Sequence, residues 1–177
     1  MAKKKGGVNF ILTIVALATA VLSFVSLAFN FITAKTKGSI FGNGVTEDLN
    51  LGDWFDGMNS LQELNDNAHS DVYDLAGWNL ARVFLVITLI LVGALAVIAV
   101  VKFFMNKKSL NLATMVIGGL CVASALVFAI ATFVGCGALS GSMFGIEYSY
   151  LANVGVYLLT IFAMATGVLS IVASRKN

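Results

Sequence analysis

An all-α membrane protein, with a four-helix transmembrane bundle and a small folded extracellular loop, is the fold class this sequence predicts, on three observations. Hydrophobic residues fill 59% of 177 positions and charged ones only 11%, which are not the values of a soluble domain. Four apolar runs, about 8–34, 83–101, 110–134 and 150–173, contain no Asp, Glu, Lys, Arg or His, and each comes near or exceeds the ~20 residues that a helix needs to cross hydrocarbon. The charges, finally, are segregated. Eight of the nine acidic residues lie between Lys35 and Trp78, and the ninth, Glu147, falls in the shorter loop before the last run.

Only helices and closed barrels satisfy every backbone polar group in lipid, and runs of this length without two-residue alternation are not barrel strands. Four spanning helices follow. Lys3, Lys4, Lys5, Lys102, Lys107, Lys108, Arg175 and Lys176 all fall on the side opposite the acidic loops. The positive-inside rule makes that side cytoplasmic, with both termini inside. The expected segments are a basic tail 1–7, spans 8–34, 83–105, 110–134 and 150–173, extracellular loops 35–82 and 135–149, a cytoplasmic connection 106–109 and a tail 174–177. A multi-pass protein of the plasma membrane is the implied setting. Trp78, Tyr148 and Tyr150 read as an outer aromatic belt, and Phe103 and Phe104 with Lys102 as an inner anchor.

Taken in order, the first run extends to 34, longer than a signal-peptide core, so an uncleaved anchor is expected. Thr13, Ala16, Thr19, Ala20, Ser23 and Ser26 place small and hydroxylated side chains at three- and four-residue spacing, a helix-packing seam. The first loop opens with β-prone residues around Gly42-Asn43-Gly44, a short hairpin. From Gly52 to Leu64 the period changes. Trp54, Met58 and Leu61 recur at helical spacing, with Asp53 and Asp56 early in the segment, which predicts a short amphipathic helix lying on the membrane surface or on the other loop, these three residues forming the expected contact surface of the loop.

Arg82, one turn inside Trp78, is expected to reach the headgroups or to form an outer ion pair with Asp74 or Glu147. The short connection before Leu110 makes the second and third helices antiparallel neighbours. Gly118 and Gly119 on the third helix, and Ala163 and Gly167 on the fourth, are the expected close-packing positions. Ser140, Gly141 and Ser142 read as loop, with Met143–Tyr150 as an extended strand beside the hairpin. Cys121 and Cys136 read as small buried thiols, being too far apart along one helix to bridge.

No constellation in the sequence carries chemistry. His69 sits on a polar turn and reads as solvated rather than catalytic. Glu47, Asp48, Asp53 and Asp56 are the densest oxygen-rich run and the weak calcium candidates; they lack EF-hand spacing and read as a solvated acidic face. No catalytic residue, metal or cofactor is called for, and no nucleic-acid partner. Spans without acids, bases or histidine argue against a coupled transporter.

The layout resembles the claudin-like tetraspan membrane proteins: inside termini, a large first outer loop with β-prone pieces, a very short inner loop and a small second outer loop. Trp54, Ala76-Gly77-Trp78 and Arg82 are weak echoes of that family's first-loop residues, while its pair of loop cysteines has no counterpart here. The resemblance implies a small sheet in the first loop, a helix bundle and side-by-side association. The expected function is a non-enzymatic role in which the acidic ectodomain binds copies of this chain or another membrane protein, as a structural or accessory subunit. The alternative is a homo-oligomeric channel subunit with a cation-attracting acidic vestibule.

Overall fold

The computed structural model describes residues 3–38, 44–69, 72–105, 108–143 and 146–175. Its elements in chain order are α1 (Lys3–Val25), a single 3-10 turn (Ser26–Ala28), β1 (Ile32–Gly38), β2 (Val45–Leu49), α2 (Leu51–Ala68), α3 (Ala76–Phe104), α4 (Lys108–Leu139), β3 (Gly141–Met143), β4 (Ile146–Ala152) and α5 (Val154–Arg175). Four stretches, Phe10–Ala28, Ala76–Phe104, Ser109–Leu139 and Val154–Arg175, are long and apolar enough to span a bilayer. The chain divides into two compact units.

The first unit, 1–25, 84–127 and 159–177, is the four-helix bundle. Its core joins Ala20 of α1, Val92 and Leu95 of α3, Cys121 and Ala125 of α4, and Ala163 of α5. Lipid tails are as apolar as these side chains, so close backbone approach rather than water exclusion holds such helices together. At Gly118 and Gly167 that approach is direct: a Cβ on Gly118 would lie 2.8 Å from the Gly167 carbonyl oxygen, and one on Gly167 only 2.6 Å from that of Gly118. The interior hydroxyls are satisfied locally. Thr88, Thr114, Thr166 and Ser174 each donate to the carbonyl four residues back, and the Thr88 hydroxyl oxygen lies 3.1 Å from that of Ser124 and the Thr166 oxygen 2.9 Å from that of Thr19. Ile90, Val97, Leu120 and Ile161 are exposed on the protein, as lipid-facing positions are.

The second unit, 26–83 and 128–158, is the loop domain. Its antiparallel sheet has the order β2-β1-β4-β3, so the hairpin of the first loop is completed by both strands of the second. In β1, Ile32, Ala34 and Thr36 alternate with Thr33, Lys35 and Lys37, and the β-branched residues among them suit a pleated surface. The first span was expected to run to 34, but α1 ends at Val25 and Ile32–Ala34 is strand. Phe31 donates its N–H to Leu49 and accepts from Asn153, and Asn30 accepts from Gly155, so the sheet and the start of α5 claim this backbone. Continuous hydropathy had merged the apolar strand with the helix before it.

The other boundaries shift for similar reasons. Asp74 accepts the Ala76 N–H, which starts α3 seven residues before 83. α4 continues five residues beyond 134. Tyr150–Ala152, expected in the fourth span, belongs to β4, and Asn153 receives the Val154 N–H at the start of α5. The strand expected over Met143–Tyr150 is found as β4, Ile146–Ala152, which pairs along the whole length of β1; Gly141 and Ser142, expected as loop, instead join Met143 in β3, because they pair with Tyr148 and Glu147. Residues 39–43, where the first β-prone piece of the hairpin and its turn were expected, Gly145 and residues 106–107 lie outside the described residues.

α2 is specified at both ends. Asn50 caps its start by accepting from Gly52 and Asp53, with the Asp53 carboxylate accepting the Asn50 N–H in return, a reciprocal capping box. It stops at His69, whose backbone is left-handed at φ 49°. Asn65, 6% exposed, then fixes the return of the chain: its side chain donates to the Tyr73 carbonyl and accepts the Tyr73 N–H, both at 2.9 Å. Asn65→Ala leaves both groups without a partner and is expected to destabilise this segment by about 1–3 kcal/mol, read as faster amide exchange at Tyr73.

Candidate functional site

Pairing register builds a polar face on the sheet. Side chains two apart on a strand share a face, so Lys35 and Lys37 of β1 do. Across the ladder Lys35 lies opposite Thr46 and Ser149, Lys37 opposite Glu147, and Glu147 opposite Ser142. These residues line an open groove of about 590 Å3, with Thr36 and Tyr148. Among the described residues neither lysine has a hydrogen-bond or ion-pair partner. The loop domain contains all nine acidic residues and only three basic ones, Lys35, Lys37 and Arg82. Arg82 is committed elsewhere. The groove is therefore where a strongly acidic domain presents its free cations.

The same face is pinned nearer the start of the sheet. Asp48 accepts from Thr33 at 2.6 Å and from Asn153 at 3.1 Å, and Asn153 also donates to Thr33 at 2.8 Å. Strands β1 and β2 are thus tied to the residue that starts α5. Burial, with Tyr73 and Tyr148 nearby, raises the pKa of the Tyr150 phenol above its ordinary value, so Tyr150 keeps its proton at neutral pH.

An aromatic stack holds α2. Phe31 and Trp54 lie parallel with centroids 6.2 Å apart, and Trp54 meets Trp78 at 5.4 Å. All three are at most 1% exposed. Gly135 makes room: a Cβ there would sit 2.8 Å from Trp78 Cδ2. Trp54, Met58 and Leu61 do lie on one face of α2, but Trp54 is 1% and Met58 6% exposed and Leu61 is half-buried. The expected partner-contact surface is thus the side of α2 packed inside the domain, because burying two large side chains against Phe31 and Trp78 removes more apolar area from water than leaving them out. The exposed side of α2 carries Asp53, Asp56, Glu63 and Asp66 instead.

Arg82 forms neither expected ion pair. It donates to Asn59 Oδ1 at 3.0 Å and its guanidinium lies 4.8 Å from the centroid of the Phe55 ring, while Asp74 serves the start of α3 and Glu147 lines the groove. The calcium candidates are divided between two elements, Glu47 and Asp48 on β2 and Asp53 and Asp56 on α2. Asp48 and Asp53 are occupied by the bonds above, and among the described residues no three His, Cys, Asp or Glu side chains are grouped to hold a metal. His69 is the exposed end of α2. In the bundle Gly118, Gly167 and Ala163 are buried at helix contacts, with Cys121 Sγ donating to the Ala163 carbonyl at 3.4 Å. Gly119 is exposed and a Cβ there would meet nothing within 4 Å, so it is not a close-packing position within the bundle. Cys121 and Cys136 are both free and buried.

Sequence reading passed over Lys35 and Lys37, although the signal was there: Lys-x-Lys among β-branched residues places two charges on one strand face. Phe31 was missed because it looked like the last turn of a span.

Fold and site define a multi-pass membrane protein with four spanning helices and a small loop domain built on a four-stranded sheet. The chain matches no protein-family model and no curated protein.

Proposed function

We propose that this is a non-enzymatic plasma-membrane protein whose loop domain, facing outward, associates with copies of the same chain or with another membrane protein. Both termini are then cytoplasmic, the orientation that the eight basic residues gathered on their side favour. The observation that carries the reading is the groove with Lys35 and Lys37, set in a domain that is otherwise acidic. A partner surface that fills it must bring carboxylates, and complementary charge of this kind fixes orientation and speeds encounter. The exposed row Asp56, Glu63 and Asp66 on α2 of another copy is such a surface. The claudin-like layout fits side-by-side association, but the contact residues are those of the sheet rather than Trp54 and Met58.

The test is the complex released from native membranes by a mild detergent. Lys35→Glu with Lys37→Glu is expected to lower the fraction of chain in the complex at least tenfold, since like charges brought together cost several kcal/mol. An unchanged complex mass would count against the groove. A homo-oligomeric channel is the second reading. Within the first unit the bundle interior is packed with Val92, Leu95, Cys121 and Ala163, so a pore would have to form between copies. Its mark is cation conductance in liposomes.

A further inference from the structure

The first unit contains eight basic residues and no acidic one. Arg175, at the end of α5, is exposed, where a charge in water or among headgroups needs no protein partner. Lys102 differs. It lies in the last turn of α3 and, instead of extending away from the protein, its ammonium donates to Ser174 Oγ at 2.8 Å. Ser174 is 5% exposed and passes its own hydrogen to the Ser170 carbonyl. Thr13, Thr114 and Ser170 line a void against the same lysine. An ammonium carries three hydrogens, and among the described residues only one has an acceptor. The negative end of α3 reduces the cost of the charge but supplies no counter-ion. A half-buried cation without a carboxylate in its unit draws its partner from outside the protein.

We propose that Lys102, positioned by Ser174, is a binding site for the phosphate of an anionic phospholipid in the leaflet that meets the C-terminal end of α3. Size decides how the ligand sits. The void beside Lys102 measures about 10 Å3, roughly what one water requires. A phosphate does not enter it and meets the ammonium from the lipid side. Phe104, 83% exposed, and Phe103, which packs edge-on against Phe10 at 5.5 Å, offer apolar surface next to the lysine for an acyl chain. The site therefore combines a fixed cation with an apolar wall, as a phospholipid requires and a free phosphate does not. It stands independently of the association proposed for the loop domain.

The experiment is native mass spectrometry of the full chain in neutral detergent, doped with equal amounts of phosphatidylglycerol and phosphatidylcholine. The wild type is expected to retain phosphatidylglycerol at least fivefold over phosphatidylcholine. Lys102→Met abolishes the preference and Lys102→Arg keeps it. Lys176→Gln, which removes one positive charge beyond α5, also keeps it. If Lys102→Met does not fold, Ser174→Ala, which leaves the charge in place, is expected to halve the preference or reduce it further. Equal retention of the two lipids by the wild type, or full preference in both Lys102→Met and Ser174→Ala, overturns the proposal. Loss of the bound lipid to millimolar inorganic phosphate would overturn the lipid as the source and leave a simple anion site.

Discussion

Trp78→Ala is expected to unfold the loop domain while leaving the protein in the membrane. Trp78 has no exposed surface, touches Trp54 and packs on the backbone of Gly135. Truncating a buried tryptophan costs about 3–5 kcal/mol, a large part of the ~5–15 kcal/mol that holds a whole domain together. Amide exchange should speed up across α2 and β1 together, because Phe31, Trp54 and Trp78 form one stack. Residues 84–127 should remain protected. Slow exchange over 51–68 in this variant would mean that the stack is not what holds α2 in place.

Gly118→Leu and Gly167→Leu are expected to damage the bundle, and Gly119→Leu to do nothing. At the first two positions a Cβ meets the carbonyl oxygen of the facing glycine at 2.8 and 2.6 Å. That neighbour is backbone and cannot rotate away, so α4 and α5 must separate. Overpacking costs at least about 1–3 kcal/mol, and separating these helices also exposes the Ala163 carbonyl that accepts from Cys121. Gly119 faces open space, where a substitution stays within ~0.5 kcal/mol. Thermal unfolding in detergent, followed by loss of helicity, should lower the midpoint for the first two variants only. Equal effects at Gly118 and Gly119 would contradict the assigned helix faces.

Much of this architecture is legible in the sequence because lipid imposes a simple rule: a long apolar run without charges is a spanning helix. All four spans, the amphipathic helix behind Asn50 and the strand beside the hairpin could be read in this way. Helix ends were harder. Phe31 and Ile32 are as apolar as any membrane residue, and only their hydrogen bonds to Leu49 and Asn153 distinguish strand from helix. The face of α2 was correctly read from its period, but period alone does not say whether an apolar face meets a partner or its own domain. Phe31 and Trp78, distant in sequence, decide that Trp54 turns inward. Arg82 shows the same limit: it donates to Asn59 and lies over the Phe55 ring, both on α2, and pairs with neither carboxylate that charge alone suggested. Of the groove only Lys35 and Lys37 on one strand face were legible, since its walls exist only where β1, β2, β3 and β4 are brought into register.

The mass of the complex released from native membranes, wild type beside the Lys35→Glu, Lys37→Glu variant, tests the association reading most directly. The expected result is a discrete assembly larger than one 18.7 kDa chain for the wild type and a shift to the single chain for the variant. A wild-type protein that leaves the membrane as a single chain, or a variant that assembles as the wild type does, would contradict it.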